Sequence, residues 1–194
     1  MNEQANLYNF FASFFLELPN NELVKKMRQF ESMEATDEGT KLLKQYALSK
    51  KGVNDEIVLE ELAIDRTYLM RGTTKVGPRP PYELVYANGE YKEESDEALV
   101  EITKIYQKFG MKIVSSTNDR PDFLGIELAF MAKFCDQDDS KEIQKSFLIN
   151  HLGNFSLQYS EEVLKFSRTD FYKGIALLLA EFIRAEVQAA KEAA

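Results

Sequence analysis

The chain has 194 residues, 44% of them hydrophobic and 12% aromatic, enough for one ordinary domain and too apolar for a disordered chain. A formal charge of −8 argues against nucleic acid as a partner, because phosphate binding needs a basic face. A single cysteine, Cys135, and a single histidine, His151, exclude an internal disulfide, a cysteine-based zinc site and a carboxylate–histidine di-iron site.

The first expected helix runs from about Asn2 to Leu18, with Leu7, Phe10, Phe11, Phe14 and Phe15 forming one apolar stripe. Pro19 ends it, and Asn20 or Asn21 caps a second helix reaching about Phe30. After a polar connection, a short helix covers roughly Glu38 to Leu48 and breaks at Lys50-Lys51-Gly52. Asn54 caps a stronger helix ending near Met70, with Gly72 placed for a left-handed C-terminal position. Residues 71–86, RGTTKVGPRPPYELVY, read as a stiff loop, since its prolines cannot occupy a helix interior. A polar piece leads to a helix from about Asp96 to Phe109, closed by Gly110.

Asn118-Asp119-Arg120-Pro121 reads as the next helix start, with an Asn or Asp cap and Pro121 and Asp122 in the first turn. The helix that follows is apolar almost all round: Leu124, Leu128, Met131 and Cys135 on one side, Phe123, Ile126, Phe130 and Phe134 on another. Such a helix belongs in the middle of a bundle. Asp138 or Asp139 caps a long helix to about Tyr159. The last begins near Thr169, buries Phe171, Ile175, Leu178, Leu179 and Phe182, and frays over QAAKEAA. No segment alternates with period two. The expectation is an all-α, single-domain bundle of eight or nine helices around a buried central helix.

Catalytic motifs fail one by one. Residues 72–79 begin like a phosphate loop, but Pro78 and Arg79 stand where Lys and Ser or Thr are required. No nucleophile elbow, HExxH or CxxC occurs. The apolar run at residues 10–18 lacks the basic flank and cleavage site of a signal peptide, and no segment approaches a membrane span. Cys135 suits a buried apolar position better than a reactive one, and the Asn154 glycosylation match is taken as chance. Three polar residues stand out. Glu127 sits on the stripe of the most apolar helix, where a carboxylate is costly unless paired or hydrogen-bonded; it either ties a neighbouring helix or loop through backbone N–H groups or an arginine, or lines a groove and meets a cationic ligand. His151 borders an apolar face between Phe147 and Phe155. Asp122 suits the positive end of a helix dipole.

Taken in order, Asp65–Gly72 (DRTYLMRG), Pro80–Tyr86 (PPYELVY), Pro121–Met131 (PDFLGIELAFM) and the His151-Leu152 pair resemble the landmarks of the TorD/DmsD/NarJ-like redox enzyme maturation chaperones. This chain departs from that pattern in having Phe123 where the family has histidine, Leu84 for serine, Arg66 for an aromatic and Phe155 for tryptophan. The resemblance implies a cytoplasmic, non-enzymatic chaperone. Its partners would be the twin-arginine signal peptide and body of a molybdopterin-dependent oxidoreductase precursor, held until cofactor insertion and kept from premature export. It further implies a peptide-binding set of Pro81, Tyr82, Glu83, Tyr86, Asp122, Phe123, Glu127 and His151. Carboxylates at 83, 122 and 127 would accept forked bonds from arginine, aromatics would add apolar and cation–π surface, and the prolines would stiffen the loop.

The wall PPYELVY is expected to face the Pro121 helix. No resident cofactor or metal is expected, with transient guanine nucleotide or molybdopterin contact as an accessory activity. No stable membrane insertion is expected, and the chain would be a monomer or a helix-exchanged dimer. The competing reading is a helical scaffold or regulatory adaptor with no export client.

Overall fold

In a computed structural model that describes residues 2–71, 76–87, 96–113, 120–135 and 141–192, ten α-helical segments follow one another, with no strand among the described residues. They are α1 (Glu3–Leu16), α2 (Asn21–Gln29), α3 (Glu38–Ser49), α4 (Asp55–Arg71), α5 (Glu83–Ala87), α6 (Asp96–Lys108), α7 (Leu124–Phe134), α8 (Lys141–Phe147), α9 (Gly153–Phe166) and α10 (Asp170–Glu192). A π turn over Leu148–Leu152 joins α8 to α9, so these two form one rod and the all-α expectation is met. The chain divides into two compact units: Met1–Leu16 with Pro81–Ser156 and Glu186–Ala194, and Glu17–Pro80 with Leu157–Ala185.

In the first unit, α7 is the buried helix that its composition predicts: nine of its eleven residues are buried. Its N-terminal turn lies against α1 at Gly125, where a Cβ would come within 2.7 Å of Phe15 Cβ. Only glycine permits that approach. Further along, Phe130 and Phe134 join Tyr106, Phe109 and Phe147 in a ring cluster with centroid spacings of 4.5–6.2 Å. The buried face of α1 is Ala5, Tyr8, Phe11, Ala12, Phe14 and Phe15, with Leu7 and Phe10 partly exposed. The expected stripe is therefore turned toward Tyr8, whose hydroxyl is satisfied on Glu186 Oε2 at 3.0 Å and can accompany its ring inward.

In the second unit, Asn20 caps α2 by accepting from Leu23 N–H at 3.0 Å, and Asn54 caps α4 by accepting from Glu56 N–H at 2.8 Å. Asp37 and Thr40 close a capping box on α3. Gly39 and Gly174 let α3 and α10 touch, since a Cβ on Gly174 would sit 2.8 Å from the Gly39 carbonyl oxygen. Asp65 is buried on α4 and fully used. It accepts from Ser167 Oγ at 2.8 Å, Thr169 Oγ1 at 2.7 Å, Thr169 N–H at 2.9 Å and Arg168 N–H at 3.1 Å. A carboxylate from one helix thus fixes the entry to α10.

Several boundaries differ from the sequence reading. The first helix stops at Leu16, because Leu18 precedes Pro19 and is pushed out of the helical region. Helix α7 begins at Leu124, three residues after Pro121, because Phe123 is extended (φ −79°, ψ 130°). Asp122 consequently lies in a turn ahead of the helix. The loop reading of 71–86 gives way at Glu83, where α5 begins. Helix α9 runs past Tyr159 to Phe166, and α10 continues through Gln188 to Glu192. Leu178 and Phe182 are half-buried, whereas Phe171, Ile175 and Leu179 are buried. Gly110 ends α6 with a left-handed φ of 67°, as expected. The proposed positions of Gly72, Asn118, Asp119, Asp138 and Asp139, and most of the 87–96 connection, lie outside the described residues.

Candidate peptide-binding site

The site lies within the first unit and starts from two proline-led segments. Tyr82 and Phe123 form an isolated antiparallel bridge, in which Leu124 N–H donates to Pro81 O and Glu83 N–H donates to Asp122 O, both at 2.9 Å. Prolines at 80, 81 and 121 lack an N–H and hold their neighbours extended, which suits a short strand-like clamp. The wall PPYELVY and the α7 entry are thereby locked together, as the sequence predicts. Tyr82 and Phe123 rings lie 5.4 Å apart, and Phe123 meets Phe15 on its other side at 6.4 Å. Tyr106 Oη donates to Pro121 O at 2.9 Å and ties α6 to the same turn.

The three carboxylates receive three different environments. Asp122 is wholly buried and committed: Arg120 Nε donates to Oδ1 at 3.0 Å, Arg120 Nη2 to Oδ2 at 2.9 Å, and Leu84 N–H to Oδ2 at 3.2 Å. The same guanidinium stands 5.2 Å from the Tyr82 ring centroid. This pairing was invisible while residues 120–122 were read as helix, where side chains two apart point away from each other.

Glu83, the first residue of α5, stands at the rim. Its side chain keeps 14% of its exposure, and both oxygens lie 3.1 Å from His151 Nδ1. In the tautomer with its proton on Nδ1, the imidazole donates to Glu83. His151 reaches Glu83 because it rides on the π turn, where the helix takes an extra residue per turn. Gly153 makes that turn feasible: a Cβ there would lie 2.5 Å from Leu148 O and 2.7 Å from Val187 Cγ2. The imidazole stacks on Phe147 at 4.9 Å and 25°.

Glu127, on α7, is 0% exposed. Neither of its oxygens meets a partner at hydrogen-bonding geometry among the described residues. Burial first, then the negative charges of Glu83 and Asp122, make it hold its proton well above the ordinary carboxylate range. The Tyr106 phenol is driven up as well, by burial and then by Glu127, Glu83 and Asp122.

All eight sequence-selected residues fall in this one unit. Pro81, Tyr86, Asp122, Phe123 and Glu127 are buried, while Tyr82, Glu83 and His151 are half-exposed. Tyr86 packs on Phe155 at 6.0 Å and supports the wall from within. The residues that sequence reasoning passed over are Arg120, Tyr106 and Gly153. Among the described residues, no group of three or more His, Cys, Asp or Glu side chains is arranged to hold a metal ion. No helix of the described residues is long and apolar enough to cross a membrane.

The family model of the nitrate reductase delta subunit matches residues 31–159, which include every residue of this site. The chain belongs to the nitrate reductase delta subunit family. The likeness to redox enzyme maturation chaperones read from the sequence landmarks is borne out by this match. Among solved structures, the chain is similar to a crystal structure of an Archaeoglobus fulgidus protein provisionally described as a redox enzyme maturation protein. That likeness has a TM-score of 0.56 and 19% identity over 95% of each chain, and it establishes the shared fold. No curated protein matches the chain in sequence. Within the delta subunit family, the clamp between residues 81–84 and 122–124 is the element of this chain that joins two of its sequence landmarks in space.

Proposed function

We propose that this protein is a non-catalytic, cytoplasmic maturation chaperone. It binds the arginine-pair signal peptide and the apoprotein of a molybdopterin-dependent oxidoreductase subunit, keeping the client from export until its cofactor is in place. The observation that carries this reading is a carboxylate at the rim of an aromatic clamp. Glu83 is half-exposed beside Tyr82 and His151, with the buried carboxyl of Glu127 behind it. A guanidinium matches Glu83 through forked hydrogen bonds and can lie over the Tyr82 ring, while the apolar stretch of such a peptide suits the surrounding aromatic surface. The clamp is already formed, so little ordering is required on binding.

The family supplies the chaperone context; the peptide chemistry is inferred from the site. Calorimetric titration with a synthetic peptide carrying an Arg-Arg pair followed by an apolar run tests it. Binding by the wild type, weakened at least tenfold in Glu83→Gln and in a Lys-Lys peptide, is the expected result. Equal affinity of wild type and Glu83→Gln would remove the rim carboxylate from the account. Absence of binding to the Arg-Arg peptide would overturn the receptor reading itself.

A further inference from the structure

Glu127 has no structural task that accounts for its burial. The other buried carboxylates are used: Asp65 accepts four donors and Asp122 holds Arg120 and Leu84. Glu127 has bare oxygens in the most apolar helix of the chain. A structural carboxyl normally pairs or is replaced by an apolar residue, because an unmatched buried polar group costs stability.

Among the described residues, its charged and titratable surroundings are short of cations. Helix α5 brings Glu83, the turn before α7 brings Asp122 with Arg120, α6 brings the Tyr106 phenol, and the π turn brings His151 against Glu83. Arg120 is committed to Asp122 in a two-point contact. Three carboxyls therefore share one engaged guanidinium and one histidine. Such a group limits its negative charge by keeping a proton on its most buried member.

We infer that a guanidinium docking on the Glu83 rim displaces the proton of Glu127, so that peptide binding and Glu127 ionisation are one coupled event. This rests on the receptor reading of the site given above. A guanidinium presents five N–H donors in a rigid fork. Two engage Glu83, and an inward-facing pair gives the Glu127 oxygens the partners they lack. The proton leaves to solvent, the net charge of the site is conserved, and no covalent bond changes. A lysine ammonium, a compact point charge, fills Glu83 without reaching the second carboxyl. Proton release thus becomes a signature of arginine.

The test is titration of the Arg-Arg peptide in two buffers of different ionisation enthalpy, across mildly acidic to mildly alkaline pH. One proton released per peptide is expected. Affinity should rise by up to about tenfold per pH unit until Glu127 ionises in the free protein. Glu127→Gln is the deciding variant. It keeps His151 and the shape of the site, and it should release one proton fewer than the wild type. Infrared difference spectra should show a protonated-carboxyl band in the free protein that vanishes on peptide addition and is missing in Glu127→Gln. Peptide binding with equal proton release by both proteins, or a free protein lacking that band at neutral pH, overturns the inference and leaves the receptor reading intact. No binding at all overturns both.

Discussion

Replacing Glu127 by glutamine is expected to stabilise the free protein, and increasingly so as pH rises. The carboxyl is fully buried, and its bare oxygens lie near Glu83 and Asp122, so the folded chain keeps its proton well above the ordinary glutamate value of 4.5. The unfolded chain releases that proton near the ordinary value. Above it the native state binds more protons than the unfolded one, and stability falls with pH until the folded group ionises. The slope from one such group reaches about 1.4 kcal/mol per pH unit. Glutamine carries no ionisable proton, so the variant lacks this term. Above about pH 5 the advantage of Glu127→Gln over wild type should therefore grow with pH, by up to about 1.4 kcal/mol per unit, until Glu127 ionises in the folded protein. Contributions from the remaining carboxylates cancel to first order in the difference between the two proteins.

Urea unfolding followed by far-ultraviolet circular dichroism suits a chain with this much helix, and each pH gives one pair of free energies. Curves for the two proteins that stay parallel over the interval would refute the reasoning. Glu127 would then ionise in the folded protein as it does in the unfolded one. A constant offset alone would report only shape or packing at position 127.

Three further substitutions probe the framework. Asp65→Asn presents an amide where four donors converge ahead of α10, and a loss of about 2–4 kcal/mol in unfolding free energy is expected by the same denaturation assay. Gly125→Ala places a methyl 2.7 Å from Phe15 Cβ, so about 1–3 kcal/mol should be lost; an unchanged midpoint would mean that α1 shifts freely. Gly153→Ala sets a methyl 2.5 Å from Leu148 O and should straighten the π turn, drawing His151 from Glu83. Peptide affinity in calorimetry should then change although residue 153 is buried behind the rim, and an unaltered affinity would remove His151 from the site.

Helices were legible in this sequence wherever the periodicity was regular and a capping residue stood at the right place. Asn20, Asn54 and Gly110 do what their side chains and backbone freedom dictate. The apolar stripe of α1 holds at Phe11, Phe14 and Phe15, while Leu7 and Phe10 are exposed and Tyr8, its hydroxyl satisfied by Glu186, is buried in their stead. The π turn left no mark in the pattern, since one added residue in a long rod moves the periodicity by less than its natural scatter. Gly153 was its one trace. The meeting of the Pro80–Tyr86 and Pro121 landmarks was legible in the sequence, but the unequal environments of the three carboxylates were not. Residues 120–122 had been read as helix, which hid the turn that aims Arg120 at Asp122 and leaves Glu83 and Glu127 without it.

Phe123 shows how backbone and side chain divide the work at this site. Its N–H and carbonyl lie in the bridged strip, whose hydrogen bonds come from residues 81, 83, 122 and 124 and do not depend on what side chain 123 bears. Its ring is 4% exposed between Phe15 and Tyr82, a place that rewards an aromatic and penalises a charge. With phenylalanine there, where the resembled chaperones have histidine, the chain holds one histidine in all, and it sits across the clamp on the π turn. Protonation of the buried Glu127 removes the charge behind Glu83, so acid weakens the hold on a cation, and this dependence is lost in Glu127→Gln.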